Sequence, residues 1–288
     1  GDVYKRQTQV RAFTESLDSR GKPMPGAEAH APITWDVPGA LTGLYALGDG
    51  RLLAAAQGAL HLISDPLAGA QVLATHTGLP TDLHDVQVWD ADGIARVVAI
   101  AATTDKGAHL SLLHVDEASF RVVQGTLPLD EAIVSCALEQ HGSLAVLTRR
   151  HVLHTVSWRV TDDRLVLDEP HAVPLRPLEE ARLVYVSPSH LLMVVAVPGD
   201  AERARASALL WDTDLDAVLA VTEWSAQGAP QISTTRAMDG YVFVQLDPKA
   251  SRAGKCTVAA LPVSVPATGL LLHALGAVSY THLRAHET

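Results

Sequence analysis

The chain has 288 residues, 48% hydrophobic and 19% charged, with a formal net charge of −10. This composition belongs to a globular protein with a sizeable core, and its acidity argues against a broad groove for nucleic-acid phosphates. Cys136 and Cys256 lie far apart in apolar runs, so nothing suggests a disulfide framework or a zinc knuckle, and no apolar run has a membrane-spanning length.

In chain order, the first residues, GDVYKRQ (1–7), and the last, VSYTHLRAHET (278–288), resemble translated sequencing-adapter read-through. Such segments are excluded from fold reasoning, so the natural stretch is expected to run from about Thr8 to Ala277. Residues 8–33 lack any apolar period and read as an extended or disordered lead-in. A strand around ITWDVPG is expected next.

From 34 to 277 the chain reads as all-β, with short runs of Val, Leu, Ile and Ala between Gly, Pro and Asp punctuation. Two-residue turns with positive φ favour Asp-Gly and similar pairs. Such pairs stand at Asp49-Gly50, Asp92-Gly93, His141-Gly142 and Asp239-Gly240, and Ser189-His190, after a proline, takes the missing place. The intervals are 43, 49, 48 and 50 residues, the length of a four-stranded propeller blade.

Around these turns the predicted strand pairs are LTGLYAL with RLLAAA, DVQVW with ARVVAIA, IVSCALE with SLAVLTR, ARLVYVS with LLMVVAV, and ISTTRA with YVFVQL. Two further strands follow each pair, such as ALHLIS and QVLAT, or HVLHTVSWRV and RLVLDE. Stacking neighbouring units radially would bury the apolar faces that one unit leaves exposed. The expected fold is a β-propeller of four-stranded WD-like blades, with at least five blades between Leu41 and Leu272, compatible with an incomplete six- or seven-bladed disc. A β-sandwich of seven to nine strands is the competing reading, and it does not require the regular spacing. Two locally basic insertions, 198–207 and 247–255, fall between the second and third strands of adjacent units. They are expected on one rim, as solvated loops or as a contact site.

Asp212, Asp214, Asp216 and Glu223 have the spacing of an EF-hand loop, but Ala217 stands where the sharp turn needs glycine, and the flanks read as strands. These aspartates are expected to cap local backbone N–H groups in a turn. His151 and His154, like His109 and His114, have odd separations that point to opposite faces of a strand, and His141, His171 and His273 stand alone. Glu179-Glu180 and Asp162-Asp163 read as solvated turn acids, and no nucleophile motif or phosphate loop is present. No catalytic, cofactor-binding or metal-ligating residue is therefore singled out. Of the Trp-Asp pairs at Trp35, Trp89 and Trp211, only Trp211 is expected at the end of a third strand; Trp158 has nearly the same phase but precedes Arg159.

With that phase, the stretch from about Val173 to Gly276 resembles the β-propeller of the nucleolar t-UTP proteins, the group of animal nucleolar protein eleven and the fungal U-three-associated protein eight. The carrying residues are VPLRP, LVYVSPSHLLMVVAV, ALLWDTDLDAVLAV, DGYVFVQ and CTVAALPVSVPATGLLLHALG. The helical region that follows the propeller in that family is missing, as it would be in a fragment. The resemblance implies a non-catalytic scaffold of the small-subunit processome, in the nucleolus, supporting pre-ribosomal RNA transcription and processing. Its partners would be other proteins of a multi-subunit complex, with no membrane, no cofactor and no extensive nucleic-acid contact. The alternatives are a generic propeller adaptor in another intracellular complex, with a cytoplasmic location, and a propeller hydrolase or lactonase with a central metal.

Overall fold

Short runs of Val, Leu, Ile and Ala form the regular elements, and the described residues contain strands and turns but no helix. In the computed structural model, these residues are 9–12, 33–36, 41–47, 49–56, 58–65, 70–80, 82–91, 95–177, 180–197, 204–226, 230–238, 241–248, 257–264 and 271–272. The adapter-like ends, Cys256, His273, Glu179 and the turns Asp92-Gly93 and Asp239-Gly240 lie outside them.

Strand β1 (Gln9–Ala12), within the expected lead-in, pairs antiparallel with β2 (Ile33–Asp36). Five sheets follow, each a meander of consecutive strands. The first is β3 (Leu41–Ala46), β4 (Leu52–Ala56), β5 (Ala59–Ile63) and β6 (Val72–Thr77); the second is β7 (Asp82–Ala91), β8 (Ala95–Thr104), β9 (Gly107–Val115) and β10 (Phe120–Pro128). The third has β11 (Ile133–Glu139), β12 (Ser143–Thr148) and β13 (Val152–Thr161), and its outer place is shared by β14 (Arg164–Leu167) and β15 (His171–Pro174). The fourth is β16 (Glu180–Ser187), β17 (His190–Val197), β18 (Ala204–Asp212) and β19 (Ala217–Ala226); the fifth is β20 (Pro230–Met238), β21 (Tyr241–Pro248), β22 (Thr257–Ser264) and β23 (Leu271–Leu272). Every predicted strand pair is present.

The sequence did not show the break in the third sheet. Trp158 pairs with Leu167 and Thr155 with His171, so two residues of β13 face three of the outer strand. Pro170 lies in that gap, where its missing N–H costs no ladder bond.

The turns also differ in detail from the two-residue expectation. Gly50 N–H donates to Leu47 O at 3.1 Å and Gly142 N–H to Glu139 O at 3.3 Å, with φ of 88° and 117° at the glycines. Gly50 and Gly142 are left-handed, whereas Asp49 and His141 before them keep negative φ. The fourth sheet's turn is Pro188-Ser189, one residue earlier than expected: Ser187 pairs with His190, which already belongs to β17. Proline presets φ at the first central position of such a turn.

The chain divides into two compact units, one comprising Gly1–Thr81, Val88–Val98 and Leu112–Val122, the other Asp82–Gln87, Ala99–Ser111 and Val123–Thr288. In the first, Ala54, Ala56 and Ile63 of adjacent strands form a buried cluster. In the second, the first three strands of the fourth sheet are covered on both faces. Leu183, Tyr185, Leu191, Met193 and Val195 pack with Ala137, Ala145, Leu147 and Leu153 of the third sheet. The alternate residues Val184, Leu192, Val194 and Ala196 pack with Ala206, Ala208 and Leu210, and with Val242 of the fifth. Both sets of side chains are apolar because both faces are buried, so the strand LLMVVAV is continuously hydrophobic rather than alternating.

Candidate interaction site

An open cavity of about 420 Å³ lies where the third and fourth sheets meet, lined by Ile133, Val134, Leu147, Thr148, Arg149, His151, Glu180 and Ala181. That volume is in the range of small-molecule and side-chain pockets. Ile133, Val134, Leu147 and Ala181 give it an apolar floor, and Arg149, His151 and Glu180 a polar lip.

Local chemistry fixes its walls. The register of β11 slips between Ile133 and Ser135, so Val134 bulges out of the ladder with β12. The freed Val134 carbonyl accepts from Arg182 Nη1 at 3.5 Å, and the same nitrogen donates to Ala181 O at 3.1 Å. On the other side, Thr148 clasps the turn: its Oγ1 accepts from Val152 N–H at 3.3 Å, and its hydroxyl lies 3.4 Å from Val152 O. His151 N–H donates to Thr148 O at 3.0 Å, and His151 has a φ of 62°. Arg149 N–H donates to Ala132 O at 2.8 Å, leaving the Arg149 side chain exposed beside Arg150.

This turn joins the second and third strands of its sheet, the phase at which the two basic insertions were expected. In the fourth and fifth sheets those connections run between Val197 and Ala204 and between Pro248 and Thr257. The expected insertion 198–207 is shorter than predicted, since Ala206 and Ser207 are buried in β18. Residues 198–203 and 249–256 lie outside the described residues.

The aspartate-rich stretch is a strand, a turn and a strand. Trp211 ends the third strand of the fourth sheet with Asp212, and Asp212 Oδ1 accepts from the N–H groups of Asp214 and Leu215, both at 2.9 Å. Trp158 lies inside β13, three residues before its end. Two histidines expected to stand alone have acidic neighbours: His171 Nε2 lies 3.3 Å from Asp216 Oδ2 and His141 Nε2 lies 3.8 Å from Glu139 Oε1. Asp162 and Asp163, both with positive φ, form the turn between Thr161 and Arg164. Among the described residues, no three His, Cys, Asp or Glu side chains converge on a point that could hold a metal. Tyr185 lies in the core beside the cavity wall, and burial first, then the carboxylates of Glu139 and Asp214, push its phenol far up.

One repeated feature went unread in the sequence. His61, His109 and His154 are each the third residue of the third strand in the first three sheets. His61 Nδ1 meets Thr75 Oγ1 at 3.0 Å, and His109 Nδ1 meets Thr126 Oγ1 at 3.3 Å. His154 faces Ala172, and neither ring nitrogen has a partner among the described residues. Burial lowers the pKa of all three, with Glu131 opposing the shift at His154. Their spacings of 48 and 45 residues were legible, had histidines been compared between repeats rather than within them.

No family model matches the chain, and no curated protein matches it in sequence. Among solved structures, a protein from Lactobacillus plantarum is similar at 15% identity and a TM-score of 0.55, over 93% of this chain and 77% of that one. The β-propeller domain of Cps50 (Swd1) from Myceliophteria thermophila is similar at 13% identity and a TM-score of 0.50, over 84% of this chain and 76% of that one. The fold is a β-propeller. Its blades are the meander sheets, and the cavity lies between the third and fourth blades. The WD40 domain of SCAP from fission yeast is also similar, at 10% identity and a TM-score of 0.47; 80% of this chain spans 57% of that domain.

Proposed function

We propose that this propeller is a non-catalytic protein-interaction scaffold, and that it serves the nucleolar small-subunit processome in pre-ribosomal RNA transcription and processing. The observation that carries this reading is the fourth blade. Two of the stretches on which the t-UTP resemblance rests, LVYVSPSHLLMVVAV and ALLWDTDLDAVLAV, form its first hairpin, its third strand ending at Trp211-Asp212, and part of its outer strand. The apolar floor and polar lip of the cavity beside that blade suit a docked side chain of a partner protein.

The test is a pulldown of the tagged full chain from nuclear extract, with microscopy of the tagged protein in cells. Recovery of processome proteins and a nucleolar signal are expected. Recovery of a different complex would replace the processome assignment with the generic adaptor, and turnover of a lactone or ester by the purified chain would overturn the non-catalytic reading.

A further inference from the structure

Strand β19 ends the fourth blade's sheet order, and among the described residues no strand pairs with its far side; β23 approaches it but pairs with β22. Every second residue of such an edge directs its N–H and C=O groups outward. Edge strands are ordinarily blunted by Lys, Pro, a bulge, a break or short length. The other outer strands follow that rule. Strand β10 carries Arg121, Gly125 and Pro128; β14 and β15 are four residues each with Pro170 between them; β6 has six residues and β23 two. Strand β19 has ten residues without Lys, Arg, Pro or Gly, and its ladder with β18 is regular from Ala220 to Ala226 after one slip at Leu219.

The same strand concentrates exposed apolar surface. Of seven large hydrophobic side chains exposed among the described residues, three lie in it, Val218 at 43%, Leu219 at 42% and Val221 at 56%, and a fourth, Leu215 at 70%, lies in the turn before it. Asp214 and Glu223 flank them in the open, Asp216 is engaged by His171, and no basic residue stands between 206 and 223. The exposed apolar run from Leu215 to Val221 is therefore bracketed by Asp214 and Glu223.

We propose that β19 is a strand-addition site for an extended partner segment whose apolar residues cover Val218, Leu219 and Val221 and whose basic ends meet Asp214 and Glu223. A second copy of this chain is the poorer occupant, because antiparallel pairing of two β19 edges would bring these acids together. Backbone hydrogen bonds supply the affinity in this mode and side chains the selectivity. The inference concerns the surface and the chemistry of its partner, and it holds whichever complex the scaffold serves.

The test uses the full chain and a fluorescent seven-residue peptide of alternating valine and threonine with lysine at each end. Saturable binding is expected, weakened about tenfold or more when glutamates replace the lysines or when alternate backbone nitrogens are methylated. Val221→Lys in the protein should weaken binding to a similar degree. The peptide changes probe the unaltered protein, so the result does not depend on that variant folding. No saturable binding, or binding indifferent to N-methylation, would overturn strand addition. Self-association abolished by Val221→Lys would overturn the basic partner in favour of a second copy. Neither result bears on the processome pulldown, which fails or succeeds separately.

Discussion

The carboxylate of Asp85 accepts the backbone N–H of Leu138 at 2.8 Å, tying the first strand of the third blade to the first strand of the blade before it. One blade on, Ser135 Oγ accepts the N–H of Leu183 at 3.1 Å. First strands are sheet edges, so their outward N–H groups need such acceptors when buried. Asp85→Ala and Ser135→Ala should each lower unfolding stability by about 1–3 kcal/mol in urea titrations, and Asp85→Asn, which keeps an acceptor, by less. Equal losses for Asp85→Ala and Asp85→Asn would count against this role for the bond.

Gly50 and Gly142 close equivalent turns with positive φ. A Cβ on Gly50 would meet Asp65 Oδ2 at an ordinary 3.6 Å, whereas one on Gly142 would lie 2.7 Å from Trp158 O. Gly50→Ala should cost about 1 kcal/mol from its backbone conformation, and Gly142→Ala distinctly more. Thermal unfolding of the two variants provides the comparison.

The missing hydroxyl opposite His154 suggests a stabilising change. Ala172→Thr would reproduce the His-Thr pair of the first two blades and should raise stability by about 0.5–1.5 kcal/mol. Ala172→Val, with β-branching but no hydroxyl, is the control. Denaturant midpoints for the pair separate hydrogen bonding from strand propensity.

Trp211 is 8% exposed, and its Nε1 has no acceptor among the described residues. Trp211→Phe should therefore cost much less than Trp211→Ala, for which about 3–5 kcal/mol is expected from the cavity left behind. A large loss in the phenylalanine variant would reveal a bond to the indole N–H.

His61, His109 and His154 have lowered pKa values because burial disfavours their charged form. The unfolded chain then binds protons first as pH falls below about 6.5, so stability is full above that pH and declines beneath it. Denaturant midpoints between pH 5 and 8 should show this slope. A folded variant with all three changed to asparagine should show a shallower one.

The sequence alone determined the strands, their pairing into hairpins and the repeat, because turn glycines, prolines and apolar runs act over a few neighbouring residues. Trp211 could be given its third-strand phase on that basis, and Ala217 could rule out the EF-hand loop. The local signal was less sure at Ser189-His190, where proline set the turn one residue earlier, and at Pro170, whose gap depends on the register of β13. Only the tertiary structure decided which face of LLMVVAV meets which blade, since a strand buried on both faces carries no alternation to read. The cavity between blades joins residues 133–134 and 147–151 to 180–181. Asp85 reaches Leu138 across 53 positions of chain. Such contacts follow from how the sheets stack, and the exposed edge of β19 is visible only once its neighbours are in place.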